Sequence, residues 1–241
     1  LMLDAKNLPE SEAAVYALEA MTASGRNQKT NPKISVITTA KDGEGWLEDY
    51  LISWTRQTYE NYEVVFVDDG SHDNSLAVMQ QVARKDSRFI VIKGDGKGRS
   101  AALNTALANA SGDILAIADV DDVSMFNRLA ATAQYFGAHP DVDFLSFTIF
   151  DDKYLNRVGG RPADNRFCDL GARSLLGMPG RFPAFAFRKE FGRIPFSTEV
   201  NAGEDFGWLS KNMAAAGLAV GHSIPVPMTY YRKHEKSIST N

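Results

Sequence analysis

Val64-Val65-Phe66-Val67-Asp68-Asp69-Gly70-Ser71 sets four consecutive apolar residues against two carboxylates, a glycine and a serine. Such a short run, too brief for a helix and closed by turn formers, reads as a strand buried on both faces that ends in a polar turn. Working outward, the spacing predicts strands over Ile34–Thr38, Tyr62–Val67, Phe89–Ile92 and Ile114–Ala118. Between them lie helical patterns over Glu44–Arg56, with Leu47, Leu51 and Trp54 on one face, and over Asn74–Arg84 and Arg99–Asn109. Alternation of strand and helix implies an α/β fold, Rossmann-like, with a mostly parallel central sheet between two helical layers. Ligands of such sheets gather at the carboxyl ends of the strands. The polar residues that follow each strand are therefore the candidates for function.

Beyond the fourth strand the pattern predicts a helix over Met125–His139 and a strand over Val142–Phe150. Asp151 to Arg181 shows no period and reads as a long loop or variable subdomain, a feature usually tied to function. Order returns at Ala184–Arg188 and in a helix over Glu204–Ala216, where Phe206, Leu209 and Met213 are spaced for burial and Gly217 is the stop. The last strand, Val226–Tyr231, contains Pro227 and is expected at a sheet edge. At the other end, residues 9–24 carry Val15, Leu18 and Met21 or Thr22 at helical spacing, followed by a polar linker over residues 25–31. The main folded unit is thus expected from residue 32 onward. The chain starts without Met and is expected to be a piece of a longer polypeptide, with further domains beyond it.

The 241 residues are 44% hydrophobic and 23% charged, an ordinary globular balance that excludes disorder and collagen-like repeats. Cys168, the single cysteine, excludes both an internal disulfide and a thiolate zinc site and points to a reducing compartment. A formal net charge of −4 argues against nucleic acid or an anionic membrane as partner. No run approaches the roughly 20 apolar residues of a bilayer span. A cytoplasmic location is expected, with membrane association through an acceptor or partner.

Five constellations could carry chemistry. Asp68-Asp69-Gly70-Ser71 is a turn by composition, yet a carboxylate at a strand's carboxyl end can also accept hydrogen bonds from a ribose hydroxyl or a base N–H. Asp119-Val120-Asp121-Asp122 places three carboxylates within four residues, and their repulsion is most simply relieved by a divalent metal such as Mn2+ or Mg2+. An EF-hand is excluded, because its glycine and its bidentate glutamate positions fall on Ser124 and Ala130. Gly94-Asp95-Gly96-Lys97-Gly98-Arg99 lacks the Ser or Thr of a phosphate-binding P-loop and the spacing of a dinucleotide fingerprint, leaving a glycine-rich turn with two cations at a helix start. Gly203-Glu204-Asp205 either serves the helix dipole or supplies a general base. Tyr231-Arg232-Lys233-His234 is a solvated tail unless His234 completes a metal shell. Nucleophilic hydrolase motifs and zinc-helix motifs are absent from the sequence.

Taken in order, these stretches resemble the family 2 glycosyltransferases of the GT-A fold. The resemblance rests on Pro32 to Thr39, on Ser53-Trp54-Thr55-Arg56-Gln57-Thr58 through Asp68-Asp69-Gly70-Ser71-His72-Asp73, and on Gly98, Ala102 and Asn104. Gly112-Asp113 leads into the Asp-x-Asp of Asp119 and Asp121, Glu204-Asp205 matches the Glu-Asp motif, and Tyr231-Arg232-x-His234 with Ser237 and Ser239 matches the carboxy-terminal signature. It runs from Pro32 to Ser239 and is thinnest between Asp151 and Arg181. Where the family often has Pro-Thr-Tyr-Asn, this chain has Thr39-Ala40-Lys41-Asp42, and Leu103 replaces a frequent arginine.

The resemblance implies an inverting, metal-dependent transfer of a sugar from a nucleoside diphosphate sugar, UDP-sugar favoured, to a hydroxyl of a saccharide or lipid-linked saccharide in polysaccharide or glycoconjugate assembly. It implies that Thr39 and Asp68, helped by Asp69, hold the base, that Asp119 faces the ribose, and that Asp121, with Asp119 and His234, binds the metal. Lys97, Gly98 and Arg99 would lie near the diphosphate, Glu204 beside the donor, and Asp205 would be the base. Residues 32–122 would form the nucleotide-sugar half and 123–241 the acceptor half. The alternatives are an inactive binding module of the same fold and a metal-dependent nucleotidyltransferase, though Thr38-Thr39-Ala40-Lys41-Asp42 does not resemble the latter's glycine-rich loop.

Overall fold

The computed structural model describes residues 31–151, 168–169, 180–200, 203–217 and 219–235. The expected helix at residues 9–24, nearly all of its linker, Ser237 and Ser239 lie outside them. So does most of the irregular segment from Asp151 to Arg181.

Strands β1 (Ile34–Ala40), β2 (Tyr62–Asp68), β3 (Phe89–Lys93) and β4 (Ile114–Asp119) alternate with helices α1 (Leu47–Thr55), α2 (Ser75–Ala83) and α3 (Arg99–Asn109). There follow β5 (Val123–Ser124), α4 (Arg128–Ala138), β6 (Phe144–Asp151), β7 (Cys168–Asp169), β8 (Phe185–Arg188), α5 (Glu204–Ala216) and β9 (Gly221–Tyr231). One sheet has the order β3-β2-β1-β4-β8-β6-β9-β5, with β7 paired to β9. The long ladders β1–β2, β1–β4, β2–β3 and β6–β9 are parallel, whereas the antiparallel ladders hold two or three residue pairs each.

Side-chain alternation along the strands sorts the core into two layers. Ile34 and Val36, Tyr62, Val64 and Phe66, and Ile114, Ala116 and Ala118 face α1, α2 and α4. Ile37, Val65 and Val67, and Leu115 and Ile117 face α3 and α5. Strand order reverses between β1 and β4, because β2 and β3 are added on one side of β1 and β4 on the other. That reversal opens a crevice at the carboxyl ends of β1 and β4. Thr39 and Asp119 are register partners there.

Three expectations need correction. Pro227 is not on an edge strand: β9 begins at Gly221 and lies between β6 and β5. The ladder accommodates the proline through register shifts on either side of Thr148, where a bulge removes the need for its missing N–H. In α5 the buried aromatic is Trp208, 1% exposed, while Phe206 is 36% exposed on the opposite side. Trp208 instead packs among Phe182, Phe187, Phe191 and Phe196. The helix expected from Met125 starts at Arg128, because the Met125 N–H donates to the Met228 carbonyl and prolongs contact with β9.

Candidate active site

The crevice between β1 and β4 deepens into a cavity of about 380 Å³. Thr39, Asp69, Arg99, Asp119, Asp121, Glu204, Asp205 and His234 line it, as do Trp46, Arg181, Phe182 and Tyr231. Eight candidates separated by up to 195 positions in the chain thus share one wall system.

The strand ends place the acids. Asp68 is 1% exposed at the end of β2; its Oδ2 accepts the Ser71 N–H at 3.1 Å, and its Oδ1 is buried with no hydrogen-bond partner among the described residues. Asp69 follows at the cavity wall, and its Oδ1 accepts the Gly98 N–H at 3.3 Å. Gly98 has φ +96°, a conformation open to glycine, and it starts α3 so that Arg99 reaches the cavity. Arg99 bonds Asp119 at 2.8 Å and Glu204 at 3.1 Å, tying α3, β4 and α5 together. Burial opposes the guanidinium charge, but Asp119 and Glu204 more than offset it and hold Arg99 above its ordinary pKa. Lys97 instead pairs with Asp95 on the exposed part of the turn and does not line the cavity.

Asp119, Asp121 and Asp122 bring carboxylate oxygens within 4.8 Å of one another. Burial, then the charge of Asp119, raises the Asp121 carboxyl above the usual range, with His234 opposing; Nε2 of His234 is 2.9 Å from Asp121 Oδ2. Asp122 is 4% exposed and is pushed well above the ordinary value by burial and by both neighbouring acids. Its Oδ1 accepts the Arg232 N–H at 3.0 Å, while Oδ2 has no partner among the described residues. Converging oxygens, a repulsion that Arg99 and His234 relieve only in part, and a buried oxygen without a partner among the described residues are the environment a hard divalent cation satisfies. Behind them Arg128, 1% exposed, donates to the carbonyls of Ile117 and Phe185 and to Thr229. Burial lowers it to about 10 against the pull of Asp122 and Asp119.

Across the cavity, Glu204 and Asp205 open α5. Asn104 fixes the segment before that helix: it accepts the Phe196 N–H at 2.8 Å and donates to the Phe196 carbonyl at 2.9 Å. Trp46, Arg181, Phe182, Asn104 and Arg128 were not singled out as site residues from the sequence. Asn104 stood within a matched motif, while the others carry no local pattern that marks them.

This fold and this acid-lined crevice agree with comparison to known proteins. The profile of the family described as glycosyl transferase family 2 matches residues 35–211, and the chain belongs to that family. Glycosyltransferase GlyA of Streptococcus pneumoniae is 31% identical over 139 residues, covering 52% of this chain and 20% of that protein. The uncharacterized glycosyltransferase EpsJ of Bacillus subtilis is 33% identical over 106 residues, covering 43% of this chain and 31% of its own length. The chain therefore spans well under half of these curated relatives. Among solved structures, Staphylococcus aureus TarS 1-349 in complex with UDP-GlcNAc matches with a TM-score of 0.71 at 21% identity, over 87% of this chain and 61% of that one. The mannosyltransferase PcManGT from Pyrobaculum calidifontis, in complex with GDP-Man and Mn2+, matches with a TM-score of 0.67 at 21% identity, over 95% and 68%. The fold is that of the GT-A glycosyltransferases. Among the described residues no helix is long and apolar enough to cross a membrane.

Proposed function

We propose that this chain is the catalytic unit of an inverting, divalent-metal-dependent glycosyltransferase that uses a UDP-sugar. One observation carries the reading: Asp119 and Asp121, backed by the buried Asp122, and Asp205 line a single cavity at the sheet's switch point from different elements. The UDP and UDP-GlcNAc complexes of TarS support uridine as the base, and the GDP-Man complex of PcManGT is the competing precedent. A nucleotide-sugar donor is in keeping with the cytoplasm, and the acceptor is a hydroxyl of a saccharide or lipid-linked saccharide.

In this reading Thr39 and Asp68, with Asp69 beside them, hold the base, and the orphaned Oδ1 of Asp68 is the acceptor available to a base N–H. Asp119 faces the ribose, and Arg99 is the cation nearest the diphosphate. Asp121, Asp119 and His234 would hold Mn2+ or Mg2+, with Asp122 adding charge from beneath. The cation, when bound, acts as a Lewis acid that offsets charge growing on the leaving diphosphate. Asp205 takes the proton of the acceptor hydroxyl, whose oxygen forms the new bond to the anomeric carbon as the bond to the diphosphate oxygen breaks. Attack on the face opposite the leaving group inverts the configuration. Residues 32–122 then serve the donor and 123–241 the acceptor.

Asp205→Asn is expected to bind UDP with Mn2+ as the parent does and to lose transfer by at least about 100-fold, a typical contribution of a general base. Calorimetry and release of nucleoside diphosphate measure the two quantities. Asp121→Ala is expected to lose the metal-dependent part of UDP binding. Wild-type transfer by Asp205→Asn would refute the base assignment, and binding without turnover in the parent would leave a binding module of the same fold.

A further inference from the structure

Tyr231 ends β9, and the short strap after it brings His234 to the cavity wall, with Nε2 2.9 Å from Asp121 Oδ2. Side chains from the β1–α1 connection grip this strap. The Trp46 ring stacks on His234, with centroids 4.8 Å apart and planes 28° apart. The guanidinium of Arg232 lies over the same indole, 5.4 Å from its centroid. Arg232 is anchored twice more, by an ion pair with Asp49 in α1 and by its N–H to Asp122. On the other flank, Arg181 lies over the Tyr231 ring at 5.3 Å. Trp46 is thus the point where the first loop of the fold touches both the imidazole and the anchor of the strap.

We propose that Trp46 is a positioning residue for His234: by stacking on the imidazole and on Arg232 it holds Nε2 against Asp121 and so preforms the divalent-cation site. The inference rests on the reading of Asp121 and His234 as ligands. Its physical basis is that an imidazole whose ring is not fixed by its neighbours has rotamer freedom to lose before it can ligate. An aromatic face that fixes the ring removes part of that cost before the cation arrives. An indole also attracts the neighbouring guanidinium through its π face, which holds the strap against α1.

The test uses the full chain with Mn2+ and UDP as probes. In the metal-free protein, the His234 ring protons, assigned with His234→Ala, are expected upfield of an ordinary histidine through the indole ring current; the displacement is lost in Trp46→Ala and kept in Trp46→Phe. Mn2+ affinity measured by calorimetry is expected to fall about tenfold in Trp46→Ala, the scale reported for groups that orient metal ligands, and to be largely restored in Trp46→Phe. UDP binding in the presence of a chelator is expected to be the same in all three proteins. Unshifted His234 protons in the wild type would overturn the inference, as would wild-type Mn2+ affinity in Trp46→Ala where His234→Ala loses it. Equal loss of UDP binding with and without chelator would overturn it too, by making Trp46 a nucleotide contact. Wild-type Mn2+ affinity in both Asp121→Ala and His234→Ala would bring down the ligand reading itself, and the inference with it.

Discussion

Glu63, near the amino end of the sheet, has partners that outweigh its burial, whereas those of Asp121 and Asp122 at the carboxyl end do not. It is 4% exposed and accepts hydrogen bonds from Ser35 Oγ at 2.6 Å, the Ser111 N–H at 2.7 Å and Ser111 Oγ at 2.8 Å, with Lys33 Nζ at 2.5 Å. Burial alone would raise its pKa, but Lys33, Ser35 and Ser111 outweigh burial and bring it down to about 2. An unfolded glutamate titrates near 4.3, so the folded state binds this proton less readily. The resulting stabilisation is complete above the unfolded value and is lost as pH falls through the folded one. Glu63→Gln is therefore expected to destabilise the protein at neutral pH and to match it once the pH has fallen below about 2, with urea midpoints across the acid range as the measurement. A difference that did not shrink with acidity would show that packing, not charge, carries the effect. Asp121 and Asp122 have the opposite character, since burial and mutual repulsion raise both. This contrast separates a structural carboxylate from candidate functional ones. The sequence distinguishes them by position only: Glu63 lies inside a strand run, whereas Asp119, Asp121 and Asp205 follow a strand end or open a helix. Trp46 was illegible because an aromatic in a first loop has no spacing of its own, and its partners lie nearly two hundred residues away.

Elements were legible in type and less so in context. The parallel strands β1, β2 and β4 are apolar runs buried on both faces, and such runs identify themselves. The environment of β9 was misread because a proline reports local strain on a ladder and says nothing of the bulge that a partner strand can supply. Phe206 was misread because helical spacing allows two faces for an aromatic at the start of α5, and the cluster of Phe182, Phe187, Phe191 and Phe196 selects the face bearing Trp208. The turn that feeds β4 shows how tightly elements constrain one residue. A Cβ on Gly112 would lie 2.6 Å from the Ser35 nitrogen and 2.8 Å from the Lys33 carbonyl oxygen, both backbone atoms of or beside β1. Backbone cannot swing aside as a side chain can, so β4 would have to slide along β1. Gly112→Ala is expected to cost about 2 kcal/mol, the range of overpacked cores, with a lower urea midpoint and an unchanged slope. Because Thr39 and Asp119 are register partners on those two strands, the same variant is expected to weaken UDP binding although Gly112 lies at the far end of the sheet. Unaltered UDP affinity alongside a clear loss of stability would mean that the turn absorbs the displacement and the crevice does not feel it.

At the scale of the whole molecule, the site joins parts of the chain that have little else in common. Asp119 and Asp121 come from the end of β4 and the turn after it, Arg99 from α3, Glu204 and Asp205 from α5, and His234 from the strap beyond β9. A ligand that engages all of them must couple to global unfolding, since the segments that carry them, around residues 99, 119–121, 204–205 and 234, lie far apart in the unfolded chain. A ligand present at 100 times its dissociation constant stabilises a two-state protein by about 2.7 kcal/mol, and a chain of this size shifts its melting temperature by roughly 2 to 4 °C per kcal/mol. UDP with Mn2+ is accordingly expected to raise the melting temperature by roughly 5 to 10 °C, and a chelator to remove most of that gain. GDP, CDP and dTDP with Mn2+ provide the comparison, because Thr39-Ala40-Lys41-Asp42 departs from the common family sequence after the first strand. A larger shift with GDP would retain the metal and the base while changing the nucleotide. A nucleotide shift that survives the chelator would separate nucleotide recognition, assigned to Thr39, Asp68 and Asp69, from the acid cluster, and would leave the repulsion at Asp121 and Asp122 to be explained by something other than a cation.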